Sequence, residues 1–567
     1  MTDPTGMRRR LTNYGDSEFA LFLRKSFIKA MGYSDDALSR PIIGITNTFS
    51  AYNACHKTVP DIIDAIKRGV MLAGGLPFEF PVISMHEAFS HPTSMYLRNL
   101  MAIDAEEMIR AQPMDAVVLI GGCDKTVPAL LMGAASADVP AILEVTGPML
   151  TGRHRGDRVG ACTDCRRYWA RHRAGEVDAE EITELNDRLA PTAGTCGVMG
   201  TASTMALLAE TWGMILPGGA TIPAVMSDRL RHAEATGRRA VEIAAEKLMP
   251  AQIMTAAGLT NALRVLHATG GSTNALIHMT AIAGRLGILV DLEAFDALGR
   301  DTPVLVDLKP SGQNYMEDLH NAGGLPAVLH ELKDLLDLDQ RNIDGRTLGD
   351  IVKAHRPVPG QDVVRSRAAP LSPLGGLRVL TGNIAPRSAI IKQSSATPSL
   401  MTHEGRAVVF DSLEDMANRI DAPDLDVTAQ DVIVLRNAGP KGAPGMPEAG
   451  YIPIPRKLAE QGVKDMVRMS DARMSGTAFG TVILHVCPES ADGGPLGLIR
   501  DGDRIRLDVP AGRIDLLVPD EVLAERMREE RHVPSLPDRG YNRLFHAHIL
   551  QADEGCDFDF LVPGRAR

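Results

Sequence analysis

Up to Val145 the chain alternates short apolar runs with segments of helical length, and this alternation restricts the fold more than any other property. PIIGITNTF (41–49), FPVISM (80–85), AVVLI (116–120) and VPAILEV (139–145) read as buried strands, with helices expected over 60–73 and 128–137. Strands separated by helices pair in parallel and need both sheet faces covered. The expected fold class is α/β, with an N-terminal parallel sheet. Segment 16–31 reads as an amphipathic helix capped by Asp16 or Ser17, with Phe19, Phe22, Leu23, Phe27 and Ala30 on one face and Gly32 at its end. Ligands bind beyond the carboxyl ends of parallel strands. Cys55, Glu87, Cys123, Asp124 and Lys125 all follow such ends.

Residues 356–376 are rich in Pro, Arg and Gly, which predicts a domain boundary and a division into 1–365 and 366–567. Beyond it, 377–384, 407–412 and 431–439 read as strands. DRIRLDVPAGRIDLLV (503–518) reads as a hairpin, because apolar residues alternate on each side of Pro510-Ala511-Gly512. A β-barrel-like C-terminal domain is expected.

The net charge of −11 argues against a nucleic-acid partner, and the dense basic run Arg8-Arg9-Arg10 reads as a solvated tail. No apolar run approaches the ~20 residues of a membrane span. No apolar stretch follows the N-terminal arginines as in a secretion signal, so a cytoplasmic protein is expected. Seven cysteines in 567 residues make no disulfide framework, and in a reducing compartment they point to metal or redox work.

Cys55 lies in YNACHKT, Cys123 in GGCDKT and Cys196 in GTCGVMGTAST. Three thiolates can hold an iron–sulfur cluster with one iron open to substrate. Their spacing matches no short metal motif, so ordinary buried thiols stay an alternative. The lone C-x-x-C at Cys162 and Cys165 lacks a second pair, and it reads as two incidental thiols before a helix. Cys487 and Cys556 read as structural. Glu87, Asp124 and Glu448 are hard oxygen donors from separate loops, suited to Mg²⁺. Lys125 is either the ion-pair partner of Asp124 or, if burial lowers its pKa, an amine able to form a carbamate ligand. Ser475 and Thr477 in MSDARMSGTAFG (469–480) sit either on a surface turn or against a substrate carbon. GGSTNA (270–275) resembles a capping loop that can hold a carboxylate at a helix N-terminus.

Together, GGCDKT, AGTCGVMGTAST, ATGGSTNA, LTGNIAP, GPKGAPGMPE and SDARMSGTAFG resemble, in this order, the dihydroxy-acid and sugar-acid dehydratase family over nearly the whole chain. The resemblance implies that Cys55, Cys123 and Cys196 hold a 2Fe–2S cluster, with 4Fe–4S as the alternative. It implies that Glu87, Asp124 and Glu448 hold Mg²⁺ together with carbamylated Lys125. Ser475 is then the alkoxide base and Thr477 its neighbour. It further implies a small dihydroxy or sugar acid as substrate, and a homodimer or homotetramer. His86-Glu87-Ala88 stands where the branched-chain enzymes carry Ser-Asp-Gly, and Asp471-Ala-Arg-Met-Ser-Gly476 where they read Asp-Gly-Arg-Phe-Ser-Gly. Both departures point to the sugar-acid branch. The expected activity is a hydro-lyase making a 2-keto-3-deoxy acid. The alternatives are a dihydroxy-acid dehydratase of branched-chain biosynthesis, a redox iron–sulfur protein, and a binding protein without turnover.

Overall fold

The computed structural model describes residues 4–11, 14–529 and 536–564. Strands β1 (Ile42–Asn47), β2 (Leu76–Pro81), β3 (Ala116–Gly121) and β4 (Ala141–Val145) form one sheet in the order β2-β1-β3-β4. Every pairing in it is parallel, as the alternation predicts. β3 and β4 are buried at every position, which explains their unbroken apolar character. Helices Val59–Leu72 and Ser227–Glu246 cross against the sheet at Gly69 and Gly237. A Cβ on Gly69 would stand 2.0 Å from the Glu234 carbonyl oxygen, so the helix axes approach only because both residues lack one.

Three expectations need correction. β2 begins at Leu76, where its amide bonds to the Pro41 carbonyl, and ends at Pro81. The glycine pair 74–75 turns the chain straight into the sheet, so 82–85 already belong to the loop that carries Glu87. The first helix spans Ser17–Lys29 and is capped by Asp16, yet Phe19, Phe22 and Phe27 are exposed while Ala20 and Leu21 are buried. Arg8–Arg10 is not a free tail: Arg9 pairs with Asp115 at 3.6 Å, and Arg10 donates to the Ile109 carbonyl at 2.6 Å.

A hairpin of β5 (Gly152–His154) and β6 (Asp157–Val159) precedes the helical middle of the chain. The second large sheet contains β7 (Arg378–Leu380), β8 (Ser388–Ile391), β9 (Thr402–Phe410), β10 (Val432–Leu435), β11 (Arg468–Ser470), β12 (Val482–Cys487), β13 (Arg504–Asp508) and β14 (Arg513–Leu516). Its order is β14-β13-β9-β10-β11-β12-β8-β7. A bridge between Thr381 and Arg513 joins the two edges, giving a nearly closed, barrel-like sheet. The 503–518 hairpin has the expected register, Ile505 opposite Leu516 and Leu507 opposite Ile514. The run β9-β10-β11-β12 is parallel, an arrangement that the alternating pattern of that hairpin did not announce.

Residues 356–376 are stitched to the N-terminal half by bridges Val306–Val364 and Val304–Ser372. The C-terminal segment returns to the first half, where Phe545 and Phe558 join Met95 and Ile277 in one apolar cluster. Among the described residues, no helix is long and apolar enough to cross a membrane.

Candidate active site

The two thiol loops following β1 and β3 are fixed to each other by His56. Its ring is buried, with Nδ1 donating to the Thr48 carbonyl at 2.8 Å and Nε2 accepting the Cys123 amide at 3.1 Å. Burial outweighs the Thr48 hydrogen bond and pulls the ring pKa down to about 4, so His56 is neutral and its tautomer is set. Donor atoms of Cys55, Cys123 and His86 all lie within 4.8 Å of one another. A hydrogen bond to Cys123, burial, and the charges of Cys123 and Cys196 push the Cys55 thiol up. Cys196 is not among the donors gathered within that distance. Its sulfur lies 3.5 Å from that of Cys162. Cys162 is thus no incidental thiol. Hydrogen bonds from Cys165 and Cys196 hold it well below the usual thiol range.

The hard donors converge beside the thiols. Carboxylate oxygens of Glu87, Asp124 and Glu448 lie within 4.8 Å of one another. Lys125 Nζ, fully buried, stands 2.6 Å from Asp124, 3.2 Å from Glu87 and 3.3 Å from Glu448. Arg473, also fully buried, reaches Glu448 at 2.5 Å and Glu87 at 3.1 Å. Burial and the Arg473 charge both oppose the Lys125 ammonium, but the three carboxylates outweigh them and raise its pKa. This reverses the lowering expected from burial alone, because the lysine is surrounded by acids. Burial works against the Glu87 carboxylate, yet Lys125, Arg473 and the hydroxyls of Ser94 and Thr93 bring it far below the usual range. Asn274 donates to Glu448 at 3.3 Å from the first turn of helix Thr273–Arg285, which Ser272 caps. The carboxylate held by GGSTNA is thus one of the protein's own.

The donor sets fit the groups that the resemblance implies. Three converging carboxylates suit a hard divalent cation, and buried thiols suit an iron–sulfur centre. Asn274 Oδ1 and Arg473 Nε are buried without a hydrogen-bond partner among the described residues, as expected of atoms facing a ligand.

Ser475 and Thr477 share a hydrogen bond of 2.8 Å between their hydroxyls. Arg166 donates to the Thr477 hydroxyl at 3.0 Å, and Thr163 to the Thr477 carbonyl at 2.9 Å. The loop is clamped on its other side at Gly476, where an added Cβ would lie 2.6 Å from the Ser272 side chain. It is therefore a packed loop, not a surface turn. Nearby, Lys392 donates to the Gly476 carbonyl at 3.2 Å, and burial lowers its pKa to about 7.

Arg473, Asn274, His56 and Arg166 are not singled out by the sequence, and Cys162 is marked there only as an incidental thiol. Arg473 and Asn274 stand inside SDARMSG and GGSTNA, so the motifs carried a signal for them. Arg166 and Cys162 reach the site only through tertiary contacts.

The sequence matches the dihydroxy-acid/6-phosphogluconate dehydratase N-terminal family over residues 40–351 and the corresponding C-terminal family over 362–556. It is 48% identical over 565 residues to the L-arabonate dehydratase of Azospirillum brasilense, covering 97% of this chain and 96% of the relative. It is 44% identical over 537 residues to the 6-deoxy-6-sulfo-D-gluconate dehydratase of Pseudomonas putida, covering 94% of this chain and 92% of that one. It is 38% identical over 548 residues to the dihydroxy-acid dehydratase of Carboxydothermus hydrogenoformans, covering 94% and 97%. Fold, site and matches define a dehydratase, a hydro-lyase that removes water from its substrate. The chain belongs to the dihydroxy-acid/6-phosphogluconate dehydratase family.

Proposed function

We propose that the protein converts an aldonic acid to its 2-keto-3-deoxy acid. The carrying observation is the gradient of likeness: 48% and 44% identity to relatives named for sugar acids, against 38% to one named for dihydroxy acids. The alternative substrate is a branched-chain dihydroxy acid. Assaying a five-carbon aldonate panel beside 2,3-dihydroxyisovalerate tests the reading, which fails if the latter turns over faster.

In this reading Cys55, Cys123 and Cys196 hold a 2Fe–2S cluster, with 4Fe–4S as the alternative. Glu87, Asp124, Glu448 and carbamylated Lys125 hold Mg²⁺. When bound, these groups supply Lewis-acid chemistry for the substrate carboxylate and the departing hydroxide. Carbamylation would replace the Lys125 cation by an anion and add one more oxygen donor. Asn274 Oδ1 is free to accept a substrate hydroxyl. Ser475 Oγ takes the proton from C2, the C3–O bond breaks with loss of hydroxide, and the resulting enol ketonises. An alkoxide at Ser475 is supported by the Thr477 hydroxyl, itself held by the Arg166 cation. Ser475→Ala is expected to lower kcat by roughly 10²–10⁴-fold with iron content unchanged. Near-normal turnover in that variant would remove the serine from the chemistry.

We divide the chain functionally at residues 1–365 and 366–567, the first carrying the cluster and most cation ligands, the second Glu448 and Ser475. The exposed Phe19, Phe22 and Phe27, and the exposed pair Tyr52 and Phe89 beside the site loops, suit burial in a cytoplasmic homodimer or homotetramer. Sedimentation of the purified protein as a monomer would contradict that assembly.

A further inference from the structure

Cys196 touches the first cysteine of the C-x-x-C at Cys162, and the second, Cys165, lines a cavity. Cys162 caps helix Thr163–Arg173 and Cys165 lies one turn further in the same C-x-x-C. Cys165 lines a cavity of about 960 Å³ together with Trp169, Tyr451 and Phe479. The sulfurs of Cys196 and Cys162 are 3.5 Å apart. A disulfide requires about 2.05 Å between sulfurs. This pair is within a small side-chain movement of that distance.

We propose that Cys162 and Cys165 are a redox-active dithiol that protects Cys196 and returns it to the reduced state whenever it is not bound to iron. A peroxide drives the first step: the thiols of Cys162 and Cys196 lose two electrons and two protons, their sulfurs join, and the peroxide is reduced to water or alcohol. In the second, the Cys165 thiolate attacks Cys162 Sγ. The Cys162–Cys165 bond forms, the Cys162–Cys196 bond breaks, and Cys196 leaves as a thiolate. An external dithiol then reduces the remaining disulfide from the cavity side. The gain is chemical: a disulfide is recoverable, whereas an unprotected thiolate is oxidised onward to sulfinic acid. The sulfur exchange stands on geometry alone. Only its consequence rests on the reading of Cys196 as a cluster ligand.

The test treats full-length, cluster-depleted protein with hydrogen peroxide, blocks free thiols with N-ethylmaleimide at intervals, and maps tryptic peptides by mass spectrometry. In the unmodified chain a Cys162–Cys196 cross-link is expected to rise first and give way to an internal Cys162–Cys165 disulfide. In Cys165→Ser the cross-link should persist, at roughly tenfold its level in the unmodified chain at late times. In Cys162→Ser both should vanish and Cys196 should carry sulfinic acid. Equal alkylation of Cys162 and Cys165 before and after peroxide overturns the idea, as does a Cys165→Ser protein without the cross-link. Iron binding is measured on the same samples after dithiothreitol, ferrous iron and sulfide. Sulfur exchange without iron uptake would count against the cluster assignment and leave the dithiol standing.

Discussion

Arg473 is the residue on which the carboxylate cluster most visibly depends. It is fully buried, it bridges Glu87 and Glu448, and it donates to Thr93 at 2.7 Å. Arg473→Met would leave two half-buried acids, Glu87 and Glu448, short of a counter-charge. Breaking one side of such a pair costs about 3–5 kcal/mol. The expected result is a thermal midpoint well below that of the unmodified protein, partly restored by millimolar Mg²⁺, read by differential scanning fluorimetry. Lys392 carries the opposite sign. Burial brings its pKa from 10.5 to about 7 in the folded chain. Below the folded value both states hold the proton and the fold bears the whole burial cost. Between the two values the unfolded chain alone holds it, so stability rises with pH. Lys392→Met should therefore stabilise the protein most in mildly acidic buffer, with the advantage fading through the alkaline range in urea titrations. A constant difference across pH would show that the amine is not desolvated. Cys55, Cys123, Glu87 and Glu448 were legible because each stands in a short motif with a distinctive neighbourhood. Cys162 was not, since its contact with Cys196 spans 34 positions and exists only once two loops are folded together.

Among the elements, the Ser475 loop is tightly specified. Gly476 admits no Cβ, and Gly200 faces the Thr477 methyl at a distance where a Cβ would lie 2.8 Å away. Gly476→Ala should push the loop from helix Thr273–Arg285 and shift Ser475 by a fraction of an ångström. Misplacement of about 1 Å costs around 10²-fold in rate. A kinetic assay should show kcat falling by that order while far-UV circular dichroism stays unchanged. Strands β1, β3 and β4 were legible because burial on both faces leaves continuous apolar runs, whereas β2, exposed at Glu79 and Pro81, lies upstream of the run that suggested it. The helix Ser17–Lys29 was legible as a helix but not in its orientation. Periodicity shows that a face is apolar, and it says nothing about whether the same chain covers it. The parallel order β9-β10-β11-β12 escaped for a related reason: strand direction is set by the connections, not by the residues within the strand.

For the whole molecule, the C-terminal segment acts as a tie across the two halves. Arg98 donates to the Gly555 and Cys556 carbonyls at 2.9 and 2.6 Å, and Arg285 pairs with Asp557 at 2.5 Å with both side chains fully buried. Asp557→Ala should leave the Arg285 cation with Glu106, at 3.3 Å, as its remaining carboxylate partner and cost up to about 3 kcal/mol. Limited proteolysis should then release the segment after Arg539 early, before the rest of the chain is cut. Survival of that segment under protease would show that its apolar contacts hold it without the ion pair.

Glu87, Asp124 and Lys125 come from the parallel sheet, while Glu448 and Arg473 come from beside the barrel. The charged knot is therefore also a seam. Neither half possesses it alone, and the acids of each half are balanced only by cations that include the other's. Neutralising Lys125 or Arg473 would therefore do more than disturb the site: it would loosen the join between the halves, so that loss of charge and mechanical parting become two descriptions of one event.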